Sequence, residues 1–156
     1  MKVDILAFGA HPDDVELGCG GTIALSIAQG KTVAIVDLTQ GELGTRGDIQ
    51  TRKNEAKKAS DILKIYNREN LKLQDGFFEN NVKNQLILIE KIREYQPNIV
   101  LCNSRKDRHI DHSKANQLVN DSCFLSGLNK IDTFDKNGKN QLSWRPHIVL
   151  EYIQWN

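Results

Sequence analysis

The chain has 156 residues, 39% of them apolar and 26% charged, the composition of one globular domain and not of a disordered segment. Twenty-one basic and 20 acidic side chains leave a net charge of +1, with no block of one sign. That excludes nucleic acid or a membrane surface as a partner held by a strong basic field. No apolar run approaches the ~18 residues of a membrane span, and Asp4 interrupts the N-terminal apolar stretch where a signal peptide would be continuous. Three widely spaced cysteines, Cys19, Cys102 and Cys123, read as reduced, buried thiols of a cytoplasmic protein.

In chain order, Val3 to Gly9 is a short apolar run ending in Gly and predicts a buried strand. A helix is expected from Gly20 or Gly21 to Gln29, stopped by Gly30, and a second strand over Thr32 to Leu38. Strand, helix and strand within so short a span make a βαβ unit, which implies a parallel sheet with right-handed crossovers. Thr39 to Asp48 has three glycines and no hydrophobic period, so it reads as a loop. From Gln50, the residues Ala56, Ala59, Ile62 and Leu63 fit one helix face. Leu71 to Leu73 predicts a short strand before a turn at Asp75-Gly76. Val82, Leu86, Ile89 and Ile92 mark a helix closed by Pro97. Asn98 to Cys102 is the next strand, Ser104 to Asp111 a polar loop, and a helix should run from near His112 to about Ser126. Asp132 to Ser143 reads as a flexible excursion, and His147, taken as structural, opens a last strand to Trp155. Nothing after that strand covers it, which is unusual for a compact domain of this class. The expected fold is a three-layer, Rossmann-like α/β domain with a mostly parallel sheet.

In open parallel sheets, ligands bind beyond the carboxyl ends of the strands. That rule gathers three polar segments at one edge: His11-Pro12-Asp13-Asp14, the glycine loop, and Arg105 through His112. Each has a bland reading. Pro-Asp-Asp is a good helix start, and a His pair three residues apart before a helix can simply be surface. Two His/Asp clusters at one sheet edge, however, supply the ligand types of a catalytic zinc, which takes about three protein ligands and keeps one position for water. The site is therefore expected at the C-terminal ends of the strands.

The stretches FGAHPDDVELGCGGT, TQGELGTRG with TRKNEA, and DRHIDH after a strand resemble the LmbE-like (PIG-L) zinc deacetylases, which remove the acetyl group from N-acetylglucosaminyl compounds. HPDDVELGCGGT, DLTQGELGTRG, DGFF, RHIDH, CFLSGL and YIQW are most similar to the bacillithiol-biosynthesis deacetylases, whose substrate is N-acetylglucosaminyl malate. The resemblance implies His11, Asp14 and His112 as zinc ligands and Asp13 as general base. It implies that His109 stabilises the tetrahedral intermediate and protonates the leaving amine, and that Asp111 orients a histidine. Glu42, Arg52 and Asp75 match positions lining the sugar pocket. A homo-oligomer is also implied. Family members continue past YIQW with further strand and helix, so this sequence reads as a single LmbE-like domain, 1–156, lacking its C-terminal part.

The chemistry agrees with those roles. Zinc polarises an amide carbonyl and brings the pKa of bound water from ~15.7 to about 7. An ordinary aspartate near 3.9 is a weak base for that water, so Asp13 should be partly desolvated with a raised pKa. His109 near ~6.5 can act as a cation and still release a proton. A malate aglycone favours a guanidinium, for which Arg108 comes first and Arg46 second. Three alternatives stay open. Two histidines and a carboxylate also hold Fe(II) or another divalent metal in oxygenases. Gly18-x-Gly20 with Asp37 partly matches a dinucleotide-binding domain, although Ile23 falls where its third glycine belongs. The third alternative is a metal-dependent sugar-binding module without catalysis.

Overall fold

The computed structural model describes residues 2–154. Five strands, β1 (Ile5–Gly9), β2 (Val33–Thr39), β3 (Asn67–Leu73), β4 (Ile99–Asn103) and β5 (Ile148–Tyr152), form one sheet in the order β3-β2-β1-β4-β5. Every pairing is parallel, one step beyond the mostly parallel sheet expected. Helices α1 (Asp14–Ala28), α2 (Ile49–Leu63), α3 (Val82–Tyr95) and α4 (Ile110–Leu125) cover it. Val15 and Ile23 of α1 pack on one face with Ile5, Ala7 and Ile35, while Leu88, Ile92, Ala115 and Leu118 of α3 and α4 pack on the other with Leu6, Phe8 and Val36. β1 and β2 are buried along their whole length, which is why they read as unbroken apolar runs and not as alternating ones.

The chain builds outward from β1 to β2 and β3, then returns to lay β4 on the other side of β1. The β1/β4 junction is thus the switch point of the sheet, where the following loops part and leave a crevice.

Four segments depart from the sequence expectation. α1 begins at Asp14, not Gly20, and its two halves join at a kink where Cys19 has φ −146°. The glycines in that stretch lower helix propensity, but Gly18 is required by packing: a Cβ there would sit 2.2 Å from the ring of Tyr152. β3 is seven residues long, not three, although its sequence, NRENLKL, is polar. Arg68, Glu69 and Asn70 stay half-buried because each has a partner: Arg68 on Asp37, Glu69 on Lys91, and Asn70 on the Thr39 carbonyl. The excursion at 132–143 is anchored at its start by Arg93, a buried side chain of α3 that donates to Thr133 Oγ1 and to the carbonyls of Ser126, Leu128 and Ile131 just before it. Phe134 and Asn140 close it as an antiparallel bridge. β5 stops at Tyr152, and Trp155, expected in this strand, lies outside the described residues.

Candidate metal centre and cleft

Asp13 is the N-cap residue of α1, yet its side chain caps nothing. The bland reading of HPDD as a capping sequence therefore fails at this residue, and the carboxylate is left to the cleft. The next residue closes the turn instead: Asp14 Oδ2 accepts the His11 backbone N–H at 2.9 Å. At the other wall, His109 caps α4 through Nδ1, which accepts the Asp111 N–H at 3.2 Å. That bond makes Nδ1 the unprotonated nitrogen and puts the ring proton on Nε2.

The switch point brings these segments together. Asp14 Oδ2 lies 3.5 Å from His11 Nδ1, and Asp14 Oδ1 lies 3.2 Å from His112 Nε2. Ring centroids are 4.7 Å apart for His11–His109, 4.9 Å for His109–His112 and 5.6 Å for His11–His112. Donor atoms around a four-coordinate metal at ~2.1 Å lie about 3.4 Å apart, and Asp14 meets each imidazole near that spacing, His11 through Oδ2 and His112 through Oδ1. The sets whose ligand atoms all lie within 4.8 Å of one another are His11/His109/His112 and His11/Asp75/Asp111; Asp14 is in neither.

The electrostatics show a site that demands positive charge. Burial pulls the His11 pKa down, but Asp14, Asp75 and Asp111 outweigh it and push it up to about 9. Burial likewise opposes His112, which Asp14 and Asp107 raise. Burial would raise Asp14, but the two histidines hold it far below the usual carboxylate range. Both shifts favour positive charge beside Asp14, the kind of charge that a cation would bring. Asp13 behaves differently. It is open to the cleft, yet partial desolvation and the adjacent Asp14 raise its pKa against the pull of Arg52 and His11. This is the direction a general base requires. His109 is lowered, first by desolvation and then by the neighbouring His11 and His112. With Nδ1 accepting the Asp111 N–H, His109 presents Nε2 as its donor, and the shift runs against the cationic form expected from the sequence.

The remaining expected residues divide. Arg52, Asp75, Arg108 and Asp111 line a cleft of about 730 Å³ with the three histidines, Asp13 and Asp14. Asp75 Oδ1 is 3.0 Å and Asp111 Oδ2 3.5 Å from His11 Nε2, so two buried carboxylates orient that ring. Arg46 lies in an adjoining groove of about 520 Å³, shared with Asp13, Leu17 and Arg52. Glu42 is exposed, and its Oε1 accepts the Asp75 backbone N–H at 2.9 Å. The glycine loop serves Arg52: Gly41 has φ +65°, and a Cβ there would meet the guanidinium at 2.5 Å.

Four residues had no role in the sequence reading. Asp107 Oδ2 lies 3.1 Å from His112 Nδ1. Asn103 and Gln154 both donate to Asp14. Arg68 binds Asp37 through two parallel contacts, Nε–Oδ2 at 2.8 Å and Nη2–Oδ1 at 2.9 Å, and reaches Glu16 of α1. Asp37 is therefore engaged and cannot receive a ribose, which removes the dinucleotide reading. Asp107 lies within DRHIDH and Gln154 within YIQW, but only the tertiary structure shows what they face.

A parallel α/β sheet thus carries, at its switch point, a His/Asp cluster of residue types that could hold a metal ion, with an uncapped carboxylate beside it. The chain belongs to the family described as PIG-L: GlcNAc-PI de-N-acetylase, whose profile matches residues 6–123. It is similar to an uncharacterized deacetylase, YaiS, of Escherichia coli K12, with 36% identity over 131 residues, 76% of this chain and 67% of that protein. A diacetylchitobiose deacetylase of Thermococcus kodakarensis is 28% identical over 143 residues, 84% of this chain and 53% of that protein. The crystal structure of the conserved protein TT1542 from Thermus thermophilus superposes with a TM-score of 0.86 at 35% identity, over 97% of this chain and 66% of that one. The chain thus spans 53–67% of the length of these relatives.

Proposed function

We propose that this protein is a metal-dependent deacetylase of N-acetylglucosaminyl conjugates, acting on N-acetylglucosaminyl malate to yield glucosaminyl malate and acetate. One observation carries the reading: Asp14 stands between His11 and His112 at ligand spacing while the adjacent Asp13 carboxylate is uncapped and open to the cleft. Membership of a de-N-acetylase family supports the reaction type. His11, Asp14 and His112 are the proposed ligands, with zinc as the metal. His109 is preferred as a hydrogen-bond donor because its Nδ1 is spent on the α4 cap.

A divalent metal held there supplies polarisation of the amide carbonyl and acidification of a bound water. Asp13, with its raised pKa, takes one proton from the attacking water at a carboxylate oxygen. His109 Nε2–H donates to the developing oxyanion. Asp13 returns the proton it took to the leaving nitrogen as the C–N bond breaks, giving the free amine and acetic acid, which ionises to acetate. Asp75 and Asp111 hold the His11 ring in one orientation. Arg52 and Asp75, which line the cleft, are the proposed sugar contacts, and Arg108 and then Arg46, in the cleft and the adjoining groove, the proposed partners of the aglycone carboxylates. N-acetylglucosamine joined to another aglycone is the second substrate class that fits the same cleft.

The test measures acetate release by metal-stripped protein with zinc restored, from N-acetylglucosaminyl malate and from N-acetylglucosamine. Zinc-dependent release supports the reading, and preference for the malate conjugate that falls in Arg108→Ala supports the aglycone assignment. Release that survives chelation would sink the metal-site mechanism. Equal loss on both substrates in Arg108→Ala would show that Arg108 does not read the malate.

A further inference from the structure

The fully buried amide of Asn103, the last residue of β4, spans the β1/β4 crevice. Its Oδ1 accepts the backbone N–H of Ala10 at 3.0 Å, and its Nδ2 donates to Asp14 Oδ2 at 3.0 Å. The amide can face only one way, because a flip would set oxygen against carboxylate and NH₂ against N–H. Its own carbonyl accepts from Asn116 Nδ2 of α4 at 2.9 Å, which ties the crevice to the helix carrying His112. From the opposite side, Gln154 Nε2 donates to Asp14 Oδ1 at 3.0 Å and to the Asp14 carbonyl at 3.2 Å. β5 delivers Gln154 there because Tyr152 anchors the strand end, its hydroxyl donating to the Phe8 carbonyl at 2.8 Å and its ring packed on Gly18.

We infer that Asn103 and Gln154 are positioning residues for the metal site, a pair of amide donors that clamp the Asp14 carboxylate. The inference rests on the proposed reading of Asp14 as a ligand. Each carboxylate oxygen offers two in-plane lone pairs. The two on Oδ2 are taken by the His11 N–H and by Asn103 Nδ2. Oδ1 accepts from Gln154 and keeps one lone pair, on the oxygen that faces His112 Nε2 at 3.2 Å. The clamp therefore decides which atom of Asp14 is offered to a cation. It also makes the far edge strand, distant in sequence from HPDD, part of the site.

Groups of this kind, one shell out from a ligand, typically contribute 10–100-fold to metal affinity. The experiment is a zinc titration against a chromophoric chelator at neutral pH, on the full chain and on Asn103→Ala and Gln154→Ala. Melting of each metal-free protein reports the fold separately. Each variant is expected to weaken zinc binding by about 10–100-fold, with the metal-free melting of Gln154→Ala unchanged. If Asn103→Ala does not fold, Gln154→Ala decides alone, since its side chain is only half-buried and lies at the end of the sheet. Folded variants that bind zinc within about twofold of the parent overturn the clamp. Zinc binding that survives Asp14→Ala overturns instead the reading of Asp14 as a ligand, so the two failures are distinct.

Discussion

Arg68 joins three elements beneath the cleft, and replacing it by Met tests whether that joint is as important as its geometry implies. Its side chain is 9% exposed and that of Asp37 4%, so the pair is nearly dry. Nε and Nη2 grip Asp37, Nη1 bonds Glu16 of α1 at 2.5 Å, and Nη1 also donates to the Ala56 carbonyl of α2 at 3.2 Å. Methionine keeps much of the volume and removes the charge, which leaves a buried carboxylate alone. Breaking one partner of such a pair costs about 3–5 kcal/mol, and in a chain of this length each kcal/mol lowers Tm by roughly 2–4 °C. The expected fall is therefore about 6–20 °C.

The loss must also depend on pH. Burial pushes Asp37 up to about 6 even against the lowering pull of Arg68. Without Arg68 the carboxyl rises further, so the folded variant binds a proton more tightly than the unfolded chain does. Its stability is then greatest at low pH and falls as pH rises through the new folded pKa. The deficit against the parent grows above pH ~6 by at most about 1.4 kcal/mol per unit. Urea unfolding of the parent, Arg68→Met and Arg68→Met/Asp37→Asn at pH 6 and pH 8 gives all three comparisons. The double variant should recover much of the loss at pH 8. A deficit under about 1 kcal/mol, or one equal at both pH values, would refute the reasoning.

Three further outcomes are expected. Asp13→Asn should lower kcat about 10²–10⁴-fold while zinc content and KM stay close to the parent, because its carboxylate holds neither cap nor ligand; steady-state kinetics beside metal analysis checks this. Arg93→Met should cost about 2–4 kcal/mol by orphaning the carbonyls it bonds, with hydrogen exchange rising across 126–133 more than at the sheet. Gly18→Ala forces the Tyr152 ring away and should destabilise by about 1–3 kcal/mol; restored stability in Gly18→Ala/Tyr152→Leu would identify that contact as the cause.

The parallel α/β architecture was legible in the order of residues alone, because strands buried on both faces must be apolar throughout, and β1, β2 and β4 announce themselves as such runs. The loops that share an edge were legible too, since parallel strands send all their carboxyl ends the same way. HPDD and DRHIDH had to meet once β1 and β4 were neighbours. The matching of polar groups, by contrast, emerged only from the folded chain. β3 was mostly illegible because its residues are tolerated in a sheet only by partners far off, Arg68 by Asp37 and Glu16, and Glu69 by Lys91. The 132–143 segment read as flexible because the guanidinium that anchors its start belongs to α3. The bond from the Asp75 backbone to Glu42, and the two histidines that press on His109, were likewise visible only in the folded chain. Asn103 carries no local pattern, and YIQW marks Gln154 without saying what it meets. An apolar residue announces its burial by its own composition, whereas a buried polar residue is explained only by the group it meets, and that meeting is made by the fold.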